Sequence, residues 1–107
     1  MGSITVTPRT KNICYLNLIA LDVARPIGAM DEVLLSITRT AFPRCKAVDV
    51  RRALMRLAAL GLVALTPREA QPWHAELTAA GISKLDHAHR SRDFGPLLEA
   101  VMTGGVQ

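Results

Sequence analysis

Residues Ala47–Gly81, "AVDVRRALMRLAALGLVALTPREAQPWHAELTAAG", change period twice. From Ala47 to about Leu60 the apolar residues Val50, Ala53, Leu54, Leu57 and Leu60 recur at helical spacing, with Asp49 in the first turn, where a helix dipole favours an acid. Gly61 stands where a helix end takes a left-handed residue. Then "LVALT", Leu62–Thr66, reads as extended, "PREAQP" as a proline-bounded loop and "WHAELT", Trp73–Thr78, as a second strand. Thr78 is placed to cap the next helix, "AAGISKLDHAH", which ends by about His89. A helix, a hairpin and a helix follow one another within this stretch.

Upstream, "KNICYLNLIALDVA", Lys11–Ala24, predicts a first helix, with Thr10 or Asn12 available as its cap and Pro26 closing it. Ile13, Tyr15, Leu16, Leu18, Ile19, Leu21 and Val23 surround nearly the whole cylinder, more than one small domain readily covers. Two explanations stand: a central core helix, or a homodimer interface using Ile13, Leu16, Ile19 and Leu21. A second helix is expected from about Met30 to Ala41, where Val33, Leu34, Ile37 and Ala41 recur at helical spacing and Asp31 and Glu32 occupy the first turn. "FPRCKA" breaks the chain before the third helix. Downstream, "DFGPLLEAVMT" predicts a short terminal helix and "GGVQ" a fraying end. The expected organisation is an N-terminal arm over 1–11, one domain over 12–89 and a C-terminal extension over 90–107. Its fold class is mainly α with a small β-hairpin, in the order helix, helix, helix, hairpin, helix.

The chain has 107 residues, half of them apolar, yet its aromatic residues are only Trp73, Tyr15, Phe42 and Phe94, so Leu, Ile, Val and Ala must build one small core. Asn17, Asp22 and Arg25 interrupt the most hydrophobic region, which argues against a membrane span. The N-terminus lacks the order of a signal peptide, and Val6 breaks a myristoylation pattern. Cys14 and Cys45 are isolated and read as free thiols of a cytoplasmic protein. Arg44, Lys46, Arg51, Arg52, Arg56 and Arg68 face Asp49 alone between residues 44 and 68. That segment carries a net +5, more than the +4 of the whole chain. Positive charge concentrated on one segment is a directed field suited to a polyanion.

The run "VRRALMRLAALGLVAL", Val50–Leu65, with "HAELTAAGISKL", His74–Leu85, resembles a winged-helix domain, a form of winged helix-turn-helix, over roughly Asn12–His89. Within that class it is most similar to small winged-helix proteins of Mu-like bacteriophages and prophages. The resemblance implies a regulator or accessory factor of a mobile element that binds duplex DNA, with the third helix in the major groove. Arg51 and Arg52 would then read bases, where a guanidinium forks onto guanine. Arg56, Arg44, Lys46 and Arg68 would hold phosphates. A dimer would present two third helices to half-sites about one helical turn apart. The wing is short, and Arg68 is the only basic residue near its tip.

A different partner is also legible. Val48, Met55 and Ala59 share the outward face of the third helix with the arginines, and apolar residues beside arginine suit a protein interface, so an adaptor or inhibitor acting on another protein is the alternative. Catalysis has little to stand on. His74, His87 and His89 lack the spacing of a metal site, no serine lies in a nucleophile elbow, and "TGGVQ" lacks the lysine of a phosphate loop. Glu76 and Asp86 are isolated, and Trp73 reads as packing over the hairpin more readily than as a base-stacking platform. No cofactor and no enzymatic activity are expected.

Overall fold

The computed structural model describes residues 7–68 and 71–103, apart from the side chains at 67, 68 and 71. The N-terminal Met1–Val6, the loop tip Glu69–Ala70, the Arg68 side chain and the terminal GGVQ lie outside the described residues. The chain is mainly helical with one small antiparallel sheet. In order, it forms α1 (Pro8–Val23), β1 (Ala29–Met30), α2 (Asp31–Ala41), α3 (Ala47–Ala59), β2 (Val63–Arg68), β3 (Gln71–Leu77), α4 (Ala79–Ser91) and α5 (Gly95–Thr103).

Capping places the helix starts. α1 begins earlier than Lys11, because Pro8 supplies a φ suited to a first turn and the Thr7 hydroxyl accepts from the Thr10 amide at 3.1 Å. Neither Thr10 nor Asn12 is the cap, and the end of the expected arm is helical. Thr78 caps α4 as expected, its hydroxyl accepting from the Gly81 amide at 3.0 Å while donating to the Gly61 carbonyl at 2.6 Å. Gly61 takes φ +79, which lets the chain leave α3 and enter β2.

The hairpin pairs Val63 with Leu77 and Leu65 with Ala75. On the other edge of β3, two residues that showed no periodicity form β1, with Ala29 opposite Ala75 and Met30 opposite His74. The sheet order is β1-β3-β2. Gly28 makes this join possible: its φ is +82, and a Cβ there would sit 2.3 Å from the Ala75 carbonyl oxygen.

α1 lies at the centre. Ile13, Cys14, Leu18 and Leu21 pack with Leu34 of α2, with Ala53, Leu54 and Leu57 of α3, and with Leu62, Val63, Ala75 and Leu85 beyond them. Ile13 and Leu21 are therefore core residues, a correction to their expected place in a dimer interface; Leu16 and Ile19 are only half-buried. Leu97 and Val101 of α5 are also buried, so the expected extension completes the core.

The helical spacing of apolar residues in α2 does not mark its buried face. The helix buries Asp31, Leu34 and Thr38 and exposes Val33, Ile37 and Ala41. The reason is polar satisfaction: Thr38 donates to the Leu34 carbonyl at 2.7 Å and lies 3.5 Å from Asn17 Nδ2, while the Asp31 carboxylate is matched by donors from α3 and β3.

Both cysteines are free and buried. Burial pushes the Cys14 thiol up to about 11, with Arg56 opposing only in part. Cys45 is raised by burial and then by Asp49, against Arg9 and Arg39. At pH 8 a disulfide-exchange reagent is therefore expected to titrate no thiol in the native protein and both after denaturation. The sign for stability follows: the unfolded thiols ionise first, so stability falls as pH rises from the ordinary value of 9.0 toward about 11. A native thiol that reacts at once at pH 8 would contradict this burial.

No helix among the described residues is long and apolar enough to cross a membrane.

Candidate nucleic-acid interface

α3 turns about 100° per residue, and Val50, Ala53, Leu54 and Leu57 fix its inward side. Val48, Arg52, Met55 and Ala59 consequently lie outermost, and all four are exposed. Arg51 and Arg56 fall on opposite flanks, about 140° apart. The three arginines do not form one outward group.

Arg51 is held against the fold. Its Nε donates to Asp31 Oδ2 at 2.6 Å, and its guanidinium carbon lies 4.7 Å from the Trp73 ring centroid. The other oxygen of Asp31 accepts from the Trp73 backbone amide at 3.2 Å. The Asp31 side chain is only 5% exposed, so its charge needs these donors. One carboxylate thereby joins the start of α2, the flank of α3 and the strand β3. Trp73 is covered by Arg51 on this side, and the Nε of Arg51, a residue expected among the base readers, is taken up by Asp31.

Arg56 is likewise engaged. Its Nε donates to the Val101 carbonyl at 3.1 Å and its Nη2 to the Met102 carbonyl at 3.4 Å. These carbonyls belong to the last turn of α5, where helix oxygens lack intrahelical donors and a cation is favourable. Arg56 caps α5, a correction to its expected place among the phosphate ligands.

The remaining expected cations lie together in another way. Arg44 in the α2–α3 turn, Lys46 at the α3 N-cap and Arg52 on its outer face are exposed and make no ion pair among the described residues. Arg68 ends β2, and its side chain is outside the described residues.

Two more arginines join the turn from elsewhere in the chain. Arg39 donates from Nε to the Cys45 carbonyl at 2.8 Å. Arg9 lies 3.7 Å from Asp49 Oδ2 and 5.9 Å from the Phe42 ring centroid. A shallow hollow of about 290 Å³ is lined by Arg9, Ala41, Phe42, Pro43 and Arg44. Sequence reasoning passed over both: Arg39 stands one turn before a helix break, and nothing local to Arg9 indicates an approach to residues 42–49. Asp49 is the acid nearest this cluster, and it is occupied twice, accepting from the Lys46 amide at 2.9 Å as well as facing Arg9.

Positive groups thus surround the N-terminal end of α3, where the helix's free amides add to the same field. The apolar residues Val48 and Met55, about half-exposed, share the neighbouring outer face with Arg52.

Two of the three histidines serve local contacts: His74 is hydrogen-bonded to the Ile27 carbonyl at 2.9 Å, and His89 lies 3.7 Å from Asp22 and edge-on to Phe94. Among the described residues no three His, Cys, Asp or Glu side chains converge as metal ligands would.

Comparison of the chain with known protein families, with curated proteins and with solved structures finds no match.

Proposed function

We propose that the chain is a winged-helix domain that binds duplex DNA through the N-terminal end of α3, as a regulator or accessory factor of a mobile element. The convergence of Arg9, Arg44 and Lys46 beside the exposed Arg52 carries this reading. The order α1-β1-α2-α3-β2-β3, with β1 completing a sheet on the hairpin, supports the winged-helix part of it.

In this reading the residue roles differ from those the sequence suggested. Arg52, outermost on α3, faces the base edges of the major groove. Arg9, Arg44 and Lys46 hold phosphates and set the register. Arg51 keeps the hairpin fixed against α3 without touching DNA.

Three phosphate contacts release counterions with a slope of log K against log salt near −3, so affinity should fall about fortyfold between 50 and 200 mM salt. Fluorescence anisotropy of a labelled duplex across that range measures the slope. Absence of binding at 50 mM salt would remove the proposal.

A second reading is favoured by one observation, the apolar share of α3's outer face: Val48, Met55 and Ala59 around Arg52 suit a protein partner, for which the domain would act as an adaptor or inhibitor. Contact of that kind would depend far less on salt.

A further inference from the structure

The largest exposed apolar surface is not on α3. Val23 is 83% exposed, Ile27 78%, Val33 50%, Met30 44% and Ile37 40%. Together they expose about as much as three whole aliphatic side chains, on the order of 450 Å², within the range of the largest patch on a typical monomer, which is often a functional one.

Contacts fix where this surface lies. On α1, the Cys14 thiol points at the Ala53 carbonyl of α3 and Asn17 reaches Thr38 of α2. On α2, Asp31 and Arg39 lean toward α3 and its leading turn, while Thr38 faces α1. At about 100° per residue, Ala20, Leu16 and Val23 then follow on α1 beyond its α2 side, and Ala41, Ile37 and Val33 on α2 beyond its α1 side, with Met30 in β1 just before α2. The two rows border the same groove between α1 and α2, on the side away from α3, with Ile27 in the turn that closes one end.

We propose that this α1–α2 face takes a second copy of the same chain across a two-fold axis. A two-fold interface must complement itself, because each residue near the axis meets its own copy. Charged faces fail that test, and α3's end is one of them: Arg44, Lys46 and Arg52 would each approach like charge. The α1–α2 face passes it over most of its length: Leu16, Ala20, Val23, Val33 and Ile37 carry no charge, Asp22 and Arg25 lie 3.5 Å apart near one end, and Arg9 closes the other end beside Ala41. Its size fits as well. A stable interface covers about 800 Å² per partner, somewhat more than half of it apolar, and this patch supplies about that apolar share. Dimerisation here leaves the outer faces of both α3 helices uncovered.

Sedimentation equilibrium on the full chain, up to about 100 µM, tests it. The expected mass is twice 11.6 kDa for the natural protein and 11.6 kDa for Ile37→Glu and for Val33→Glu, with their circular dichroism melts unchanged. An Ile37→Cys variant should form a disulfide-linked dimer under mild oxidation, because Cys14 and Cys45 are buried and give no background. Met55→Cys, on the outer face of α3, should stay monomeric in the same gel. A natural protein that is monomeric throughout this range overturns the proposal. So does a dimer that survives both glutamates, or crosslinking through Met55→Cys but not Ile37→Cys.

Discussion

Replacing Arg51 by alanine should lower the stability of the fold by about 2–3 kcal/mol, a loss visible as a melting temperature about 10–20 °C lower for a domain of this size. The substitution removes the side-chain donor at 2.6 Å from Asp31 and leaves a carboxylate that is 5% exposed with the Trp73 amide as its remaining donor among the described residues. Breaking a wholly buried ion pair costs more, but Arg51 itself is 38% exposed, so water softens the loss. The stacking over Trp73 adds a fraction of a kcal/mol, as an exposed cation–π contact does. Pairing Arg51→Met with Asp31→Asn should restore about half of the stability, because the Asn oxygen still accepts from the Trp73 amide and no charge is stranded. Thermal melts of the single and double variants measure this. A single-variant loss below about 0.5 kcal/mol would mean the cluster behaves as an ordinary surface pair. The consequence for function is practical: any loss of binding on changing Arg51 mixes damage to the hairpin's seat with damage to a contact.

The same cluster shows which parts of the structure the sequence could disclose. The order of helices and hairpin was legible, because each element carried its own period and its own punctuation: Gly61 after α3, Thr78 before α4, Pro26 after α1. β1 was not, since two residues have no period and their pairing depends on β3 lying some 45 residues downstream. The orientation of α2 was not legible either, for a more instructive reason. Its apolar residues Val33 and Ile37 define one side, but the buried side is chosen by Asp31 and Thr38, whose hydrogen bonds come from α1, α3 and β3. Hydropathy cannot register a polar residue that tertiary partners satisfy. The apolar residues displaced by that choice make up much of the α1–α2 face.

Charge was read with the same partial success. The segment 44–68 is the basic one, and Arg44, Lys46 and Arg52 remain exposed within it. Yet a count by segment cannot tell a cation awaiting a partner from one already used, and Arg51 and Arg56 are used, one by a carboxylate and one by the end of α5. Nor can it find Arg9, brought in from another part of the chain.

These assignments lead to the larger expected effect. Reversing Arg44, Lys46 and Arg52 together to glutamate should weaken duplex-DNA binding about a thousandfold at 100 mM salt, since three charge-assisted contacts at roughly 1.5 kcal/mol each are lost. The melting temperature should hold, because none of the three makes an ion pair among the described residues and an acid at the start of α3 suits the helix dipole. Anisotropy titrations of the folded variant read the effect. Val48→Ser with Met55→Ser supplies the opposing arm: it removes the apolar part of the same outer face while keeping every cation. If α3 meets DNA through its charged end, the serine pair binds within about threefold of the natural protein, since scattered apolar contacts give little phosphate affinity. If instead the serine pair loses a salt-insensitive protein contact while the glutamate variant binds DNA no worse than the natural chain, the arginines are a solvated rim around a protein-binding helix, and the nucleic-acid reading falls.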